Sequence, residues 1–247
     1  MSIESPEELA ALQNVGHICH LSLEAMRRSV RPGVTTSELA NIGARIMRES
    51  GARSAPVMVY GFPADILVSV NDEAVHGIPG SRRLEAGDLV KLDVTFEKNG
   101  YMADAAITVP VEPVAQEATR LARCAERAFD RAMRVARAGN CLSEIGREVE
   151  REVNRSGFSV IRALCGHGIG RTIHEPPSVP NYEDRFSRER LTPGLVITVE
   201  PIISAGAGHT TTSEDGWTER TIDGSLSAHF EHTIVITERA PILLTAA

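Results

Sequence analysis

One arrangement of residues occurs twice in this chain, and that repeat limits the possible folds more than any other feature. Arg31-Pro32-Gly33 matches Arg137-Ala138-Gly139, Ser37-Glu38 matches Ser143-Glu144, and Ser50-Gly51 matches Ser156-Gly157, all at one offset. Each copy reads as a helical stretch that stops at glycine, the residue that most easily takes the left-handed conformation at a helix end. Extended apolar runs follow in each half. Ala86 to Asp93 (AGDLVKLD) echoes Pro193 to Glu200 (PGLVITVE), and each run carries a carboxylate near its end. The period is too long for a solenoid. Two related halves, about 1–112 and 113–247, therefore predict one domain spanning 1–247, with a site between the halves.

Local signals fill in the elements. Ser5 can cap a helix that begins at Pro6, with Glu8 completing a capping box, and the helix is expected to run to about Val30. Thr35 and Glu38 form a second capping box before a helix carrying Leu39, Ile42, Ile46 and Met47 at amphipathic spacing. Asn99-Gly100 between two alternating runs predicts a two-residue hairpin turn. That turn pairs Lys98 with Tyr101, Phe96 with Ala103 and Thr95 with Asp104. Asp93 then shares a face with Asp104 as its diagonal neighbour, roughly 7–8 Å away. Two such acids in an apolar hairpin repel each other unless a cation lies between them. A solvated face would explain an isolated pair equally well.

Composition excludes several classes. A formal net charge of -7 and no dense Lys/Arg run argue against a nucleic-acid partner. No apolar stretch approaches the roughly 20 residues that span a bilayer, and the start MSIESPEELAAL lacks a secretory pattern. Cys19, Cys124, Cys141 and Cys165 stand far apart, which fits reduced thiols in a cytoplasmic protein.

Cys165-Gly166-His167-Gly168-Ile169-Gly170-Arg171 is too rich in glycine for a helix and reads as a loop. Glycines there let backbone approach a ligand or metal. His167 and His174 become candidates for one cleft on this loop and its continuation. No strand–turn–helix unit surrounds it, so a dinucleotide fingerprint is rejected.

The segments SVNDEAVHGIP (69–79), KLDVT (91–95), GHGIG (166–170), TVEP (198–201) and FEHT (230–233) resemble those of type I methionine aminopeptidases, in order and spacing, over nearly the whole chain. The run Asp215-Gly216-Trp217-Thr218 followed by Ser225-Leu226-Ser227-Ala228 is similar to the bacterial branch. The resemblance implies the α+β pita-bread fold, with pseudo-symmetric halves around a curved, largely antiparallel sheet. It implies five metal ligands, Asp93, Asp104, His167, Glu200 and Glu231, holding two divalent ions of cobalt, manganese or iron. It further implies Glu200 as general base, His174 as oxyanion stabiliser, His76 at the scissile amide, and Phe62, Leu67 and Trp217 as an apolar methionine pocket. The expected reaction is hydrolytic removal of the initiator methionine before a small second residue. The expected setting is a cytoplasmic monomer acting on nascent chains, with transient ribosome contact and no membrane.

Two positions depart from the pattern. Ala105-Ala106 follows the second aspartate where a hydroxyl residue is common, and Leu67 replaces a small or sulfur-bearing residue in the pocket. Arg171, His17, His20, His209, His229 and His232 receive no catalytic role. Two alternatives stay in view: a non-enzymatic peptide binder of the same fold, which the intact ligand set argues against, and an enzyme for X-Pro peptides.

Overall fold

The computed structural model describes residues 1–246. The strands Leu89–Lys98 and Tyr101–Pro110 form a hairpin at the centre of a nine-stranded, antiparallel sheet. Its turn residues Asn99 and Gly100 have φ of 53° and 82°. This is the left-handed pair that a type I′ turn needs and that Asn-Gly supplies with least strain. The register follows: Lys98 pairs with Tyr101, Phe96 with Ala103, Thr95 with Asp104. Both strands are buried on both faces. Leu92, Val94, Phe96, Ala103 and Ala105 pack under helices, while Asp93, Thr95 and Asp104 face an internal cavity.

The sheet joins the two halves. Tyr101–Pro110 pairs with Glu231–Val235, which pairs in turn with Val196–Val199, and beyond these lie Cys165–Gly168 and Glu175–Pro180. Leu67–Val70 adds to the other side of Leu89–Lys98. Two small sheets complete the cavity wall: Ser227–His229, Ile202–Ser204 and Ser159–Val160, and Thr210–Thr212, Glu219–Thr221 and Glu73–Val75.

Helices Pro6–Arg27 and Thr36–Glu49 cover the first hairpin. Helices Gln116–Met133 and Ser143–Arg155 cover the strands of the second half through a separate apolar cluster around Leu121, Ile145, Ile197 and Ile234. Burying such faces at about 25 cal/mol per Å² of apolar area is the main force holding each layer to the sheet. Among the described residues, no helix is long and apolar enough to cross a membrane, and all four cysteines are free.

The capping box at Thr35 forms in full: Glu38 N–H donates to Thr35 Oγ1 (3.1 Å) and Thr35 N–H to Glu38 Oε2 (2.7 Å). The one at Ser5 forms by half. Ser5 Oγ accepts from Glu8 N–H, but the Glu8 carboxylate turns to Glu4 N–H and to Arg171, 2.7 Å away. A guanidinium from a distant segment outcompetes the local partner. This helix also ends at Arg27, short of Val30, where the chain leaves through hydrogen-bonded turns.

Candidate metal centre and active site

The glycine-rich segment is a correction to the reading above. Cys165–Gly168 is a sheet strand and not a loop, bonded to Glu175–Pro180 on one side and to Val196–Val199 on the other. Its glycines are there for close approach. A Cβ on Gly166 would sit 2.6 Å from Thr198 O, and one on Gly168 would sit 2.3 Å from Pro176 O. Both are backbone atoms that cannot swing away. Gly168→Ala is therefore expected to cost roughly 1–3 kcal/mol, read as a lowered Tm in a thermal melt. An unchanged Tm would show that the strand can separate from its neighbour at little cost.

The strand delivers His167 to the cavity. Its Nδ1 lies 2.9 Å from Gly168 O. A carbonyl only accepts, so Nδ1 carries the proton and Nε2 is left with a free lone pair. That lone pair is on the side of Asp104, whose Oδ2 is 4.0 Å from Nε2. His167 N–H donates to Thr198 Oγ1 (3.0 Å), and Thr233 Oγ1 bridges the amide and carbonyl of Asp104. Glu200 is anchored through its carbonyl, which accepts from Asn181 Nδ2 (2.8 Å).

Asp93, Asp104, His167, Glu200 and Glu231 all line one cavity of about 530 Å³. Among the described residues, no Arg or Lys lies within ion-pair distance of any of these four carboxylates. Burial and mutual repulsion push Asp93, Asp104 and Glu200 well above the usual carboxylate range, burial being the larger cause. Burial raises Glu231 to about 7. His167 is lowered to about 4, by burial first and by neighbouring His174 second. Asp104 Oδ1 and Glu231 Oε1 are buried without a hydrogen-bond partner.

Buried acids without donors are costly unless a cation compensates them. Donor atoms of Asp104, His167 and Glu231 lie within 4.8 Å of one another, and so do those of Glu200, His229 and Glu231. Glu231 belongs to both groups, as a bridging carboxylate would. The residues present thus fit a divalent metal centre.

The remaining expected residues surround it. Phe62 and Trp217 meet edge to face, with centroids 5.2 Å apart, beside Leu67 on the apolar side of the cavity. His174 stands over His167, ring centroids 4.1 Å apart. His76 opens into the same cavity from a left-handed backbone (φ 59°), a conformation that a non-glycine residue adopts only when its surroundings enforce it. Burial lowers the pKa of both His76 and His174.

One lining residue escaped the sequence reading, and another, His229, was given no catalytic role by it. Tyr60, at the end of the short helix Ala55–Tyr60, places its hydroxyl 2.5 Å from His174 Nδ1; no sequence signal ties these two together. His229 lies beside Glu231 in the acid and histidine cluster, and the break at Phe230 between their strands removes the alternation that could have signalled it. Thr95, the register partner of Asp104, lines the same cavity, and its hydroxyl favours the ionised form of that carboxylate.

Comparison with known proteins agrees with this architecture. Residues 10–238 match the description "Metallopeptidase family M24". The chain is 42% identical to "Methionine aminopeptidase 2" of Bacillus subtilis, covering 99% of both chains. It is 38% identical to "Methionine aminopeptidase" of Clostridium perfringens, covering 98% of both. The crystal structure of the methionine aminopeptidase from Thermotoga maritima superposes with a TM-score of 0.97 at 33% identity over the whole of both chains. The prolidase from Pyrococcus furiosus shares the fold alone, at 23% identity and a TM-score of 0.78, and this chain covers 65% of it. The fold is the pita-bread fold, and the chain belongs to metallopeptidase family M24.

Proposed function

We propose that this protein is a methionine aminopeptidase that removes the initiator methionine from peptides and nascent proteins with a small second residue. What carries the reading is one cavity that combines the buried acid and histidine cluster with the apolar wall of Phe62, Leu67 and Trp217. Asp93, Asp104, His167, Glu200 and Glu231 would hold two divalent ions of manganese, iron or cobalt, since oxygen-rich ligation with little nitrogen suits these metals. When bound, such ions supply Lewis acidity toward the scissile carbonyl and an easily deprotonated water.

The chain's own groups do the rest. Glu200 accepts the proton of the attacking water and passes it toward the departing amide nitrogen, which His76 contacts. His174 donates to the oxyanion. With Tyr60 O–H donating to His174 Nδ1, the neutral ring keeps its proton on Nε2, the atom free to face substrate. Tyr60→Phe is therefore expected to lower kcat about 10-fold with little change in KM, and unchanged kcat would remove Tyr60 from this role. The Phe62–Trp217 wall takes the thioether side chain, and sulfur packs well against aromatic edges. Phe62→Ala is expected to raise KM for Met-Ala peptides about 10-fold. Both halves, 1–112 and 113–247, contribute to one catalytic unit, which we place in the cytoplasm as a monomer in transient contact with ribosomes.

The deciding experiment measures release of methionine from Met-Ala and Met-Gly peptides after metal removal and after restoration of Mn²⁺, Fe²⁺ or Co²⁺. Activity that disappears and returns is the expected result. Silence after restoration would defeat the enzyme, and cleavage of X-Pro peptides without preference for methionine would defeat the substrate.

A further inference from the structure

His229 stands out among the cavity residues because the reaction above gives it nothing to do. It ends the strand Ser227–His229 and is 2% exposed, yet neither ring nitrogen has a hydrogen-bond partner. Leaving buried polar atoms unpaired is costly unless something else in the site satisfies them. Its Nε2 lies 3.2 Å from Glu231 Oε2, but that contact does not meet hydrogen-bond geometry. Its backbone is fixed from both sides: Thr108 Oγ1 accepts from His229 N–H and donates to His229 O, each at 2.8 Å.

Two donors that share one divalent ion, each about 2.0–2.2 Å from it, lie roughly 2.8–4.3 Å apart. The Nε2–Glu231 separation falls inside that range, and so does the 4.0 Å between His167 Nε2 and Asp104 Oδ2. The cluster therefore has two nitrogen-bearing groups, Asp104–His167–Glu231 and Glu200–His229–Glu231, which share one carboxylate.

We propose that His229 is a sixth protein ligand of the metal centre, giving the ion between Glu200 and Glu231 an imidazole nitrogen of its own. The proposal rests on the metal-centre reading above and extends it. An added nitrogen donor shifts that position toward borderline ions such as Fe²⁺, Co²⁺ or Zn²⁺ and away from Mg²⁺ and Ca²⁺. It also leaves each of the two ions with one histidine.

The test is metal binding and not activity. Chelator-stripped wild type, His229→Gln and His229→Asn are titrated with Co²⁺ by calorimetry, and X-ray absorption at the cobalt edge counts imidazoles. Wild type is expected to show two coordinated imidazoles per chain. Both variants should show one and lose at least 10-fold affinity for one Co²⁺ equivalent, since even partners of metal ligands contribute 10–100-fold. Thermal melts of the stripped proteins establish that the variants fold, and the wild-type count needs no variant at all. One imidazole in wild type, or folded variants with unchanged count and affinity, would overturn the proposal. Wild type that binds no Co²⁺ would overturn the metal centre itself, which the wild-type titration distinguishes from the loss of one ligand.

Discussion

Metal-stripped protein is expected to lose stability as pH rises through about 7, whereas metal-loaded protein holds or gains it. Glu231 has its folded pKa raised from 4.5 to about 7 by burial. Its contribution is complete below the unfolded value and is lost as pH rises through about 7. Asp93, Asp104 and Glu200 are displaced in the same direction. Each carboxyl still protonated in the fold but ionised in the unfolded chain costs about 1.4 kcal/mol per pH unit.

Other buried groups set the window. His167, His229 and His232 are lowered to about 4. They oppose the carboxyls between about pH 4 and 6.5 and contribute no slope above it, being neutral in both states. Lys91, lowered to about 7 by burial, makes stability rise with pH above 7 and offsets one carboxyl. The net loss is read as a fall in the Tm of the stripped protein as pH rises through about 7. Metal binding requires deprotonated ligands, so it strengthens over the same range and adds about 4 kcal/mol at 1,000 times Kd. Calorimetric melts on either side of pH 7, with and without Mn²⁺, measure both slopes. Parallel curves for loaded and stripped protein would mean that these acids are not the metal ligands.

Glu200→Gln should have the largest catalytic effect, a fall in kcat of about 10²–10⁴-fold for Met-Ala peptides. The amide keeps the shape and the backbone anchor to Asn181 but cannot take a proton. His174→Ala should cost about 10²–10³-fold through loss of a single donor to the oxyanion. KM should stay within a few-fold in both, because the apolar wall of Phe62 and Trp217 is on another side of the cavity and is untouched. Steady-state kinetics at saturating metal separates the two parameters. A Glu200→Gln enzyme with kcat near wild type would move the base elsewhere.

The hairpin was legible in the sequence to the residue, because an Asn-Gly turn and a period of two are local properties that fix register without help from the rest of the chain. The helix caps were legible for the same reason, until Arg171 drew the Glu8 carboxylate away from its local role. The placement of Asp93 beside Asp104 followed from register alone. The family resemblance named Phe62, Leu67, His76, His174 and Trp217, and the cavity gathers all of them. It was silent on Tyr60 and His229, whose importance lies in what they meet.

Sequence by itself thus determined the hairpin and the helix starts, since each depends on neighbours a few residues apart. Tertiary structure decided the rest. It made a strand of Cys165–Gly168, whose glycines disfavour regular structure locally but allow the tight sheet contacts that only two flanking strands can reward. It also turned His229 toward Glu231 across a break at Phe230, where the chain leaves one sheet for another and the two-residue alternation no longer predicts which face a side chain takes. Burial acts in the same way. The acids are ordinary in the unfolded chain, and only their enclosure together makes a cation the means of keeping them ionised.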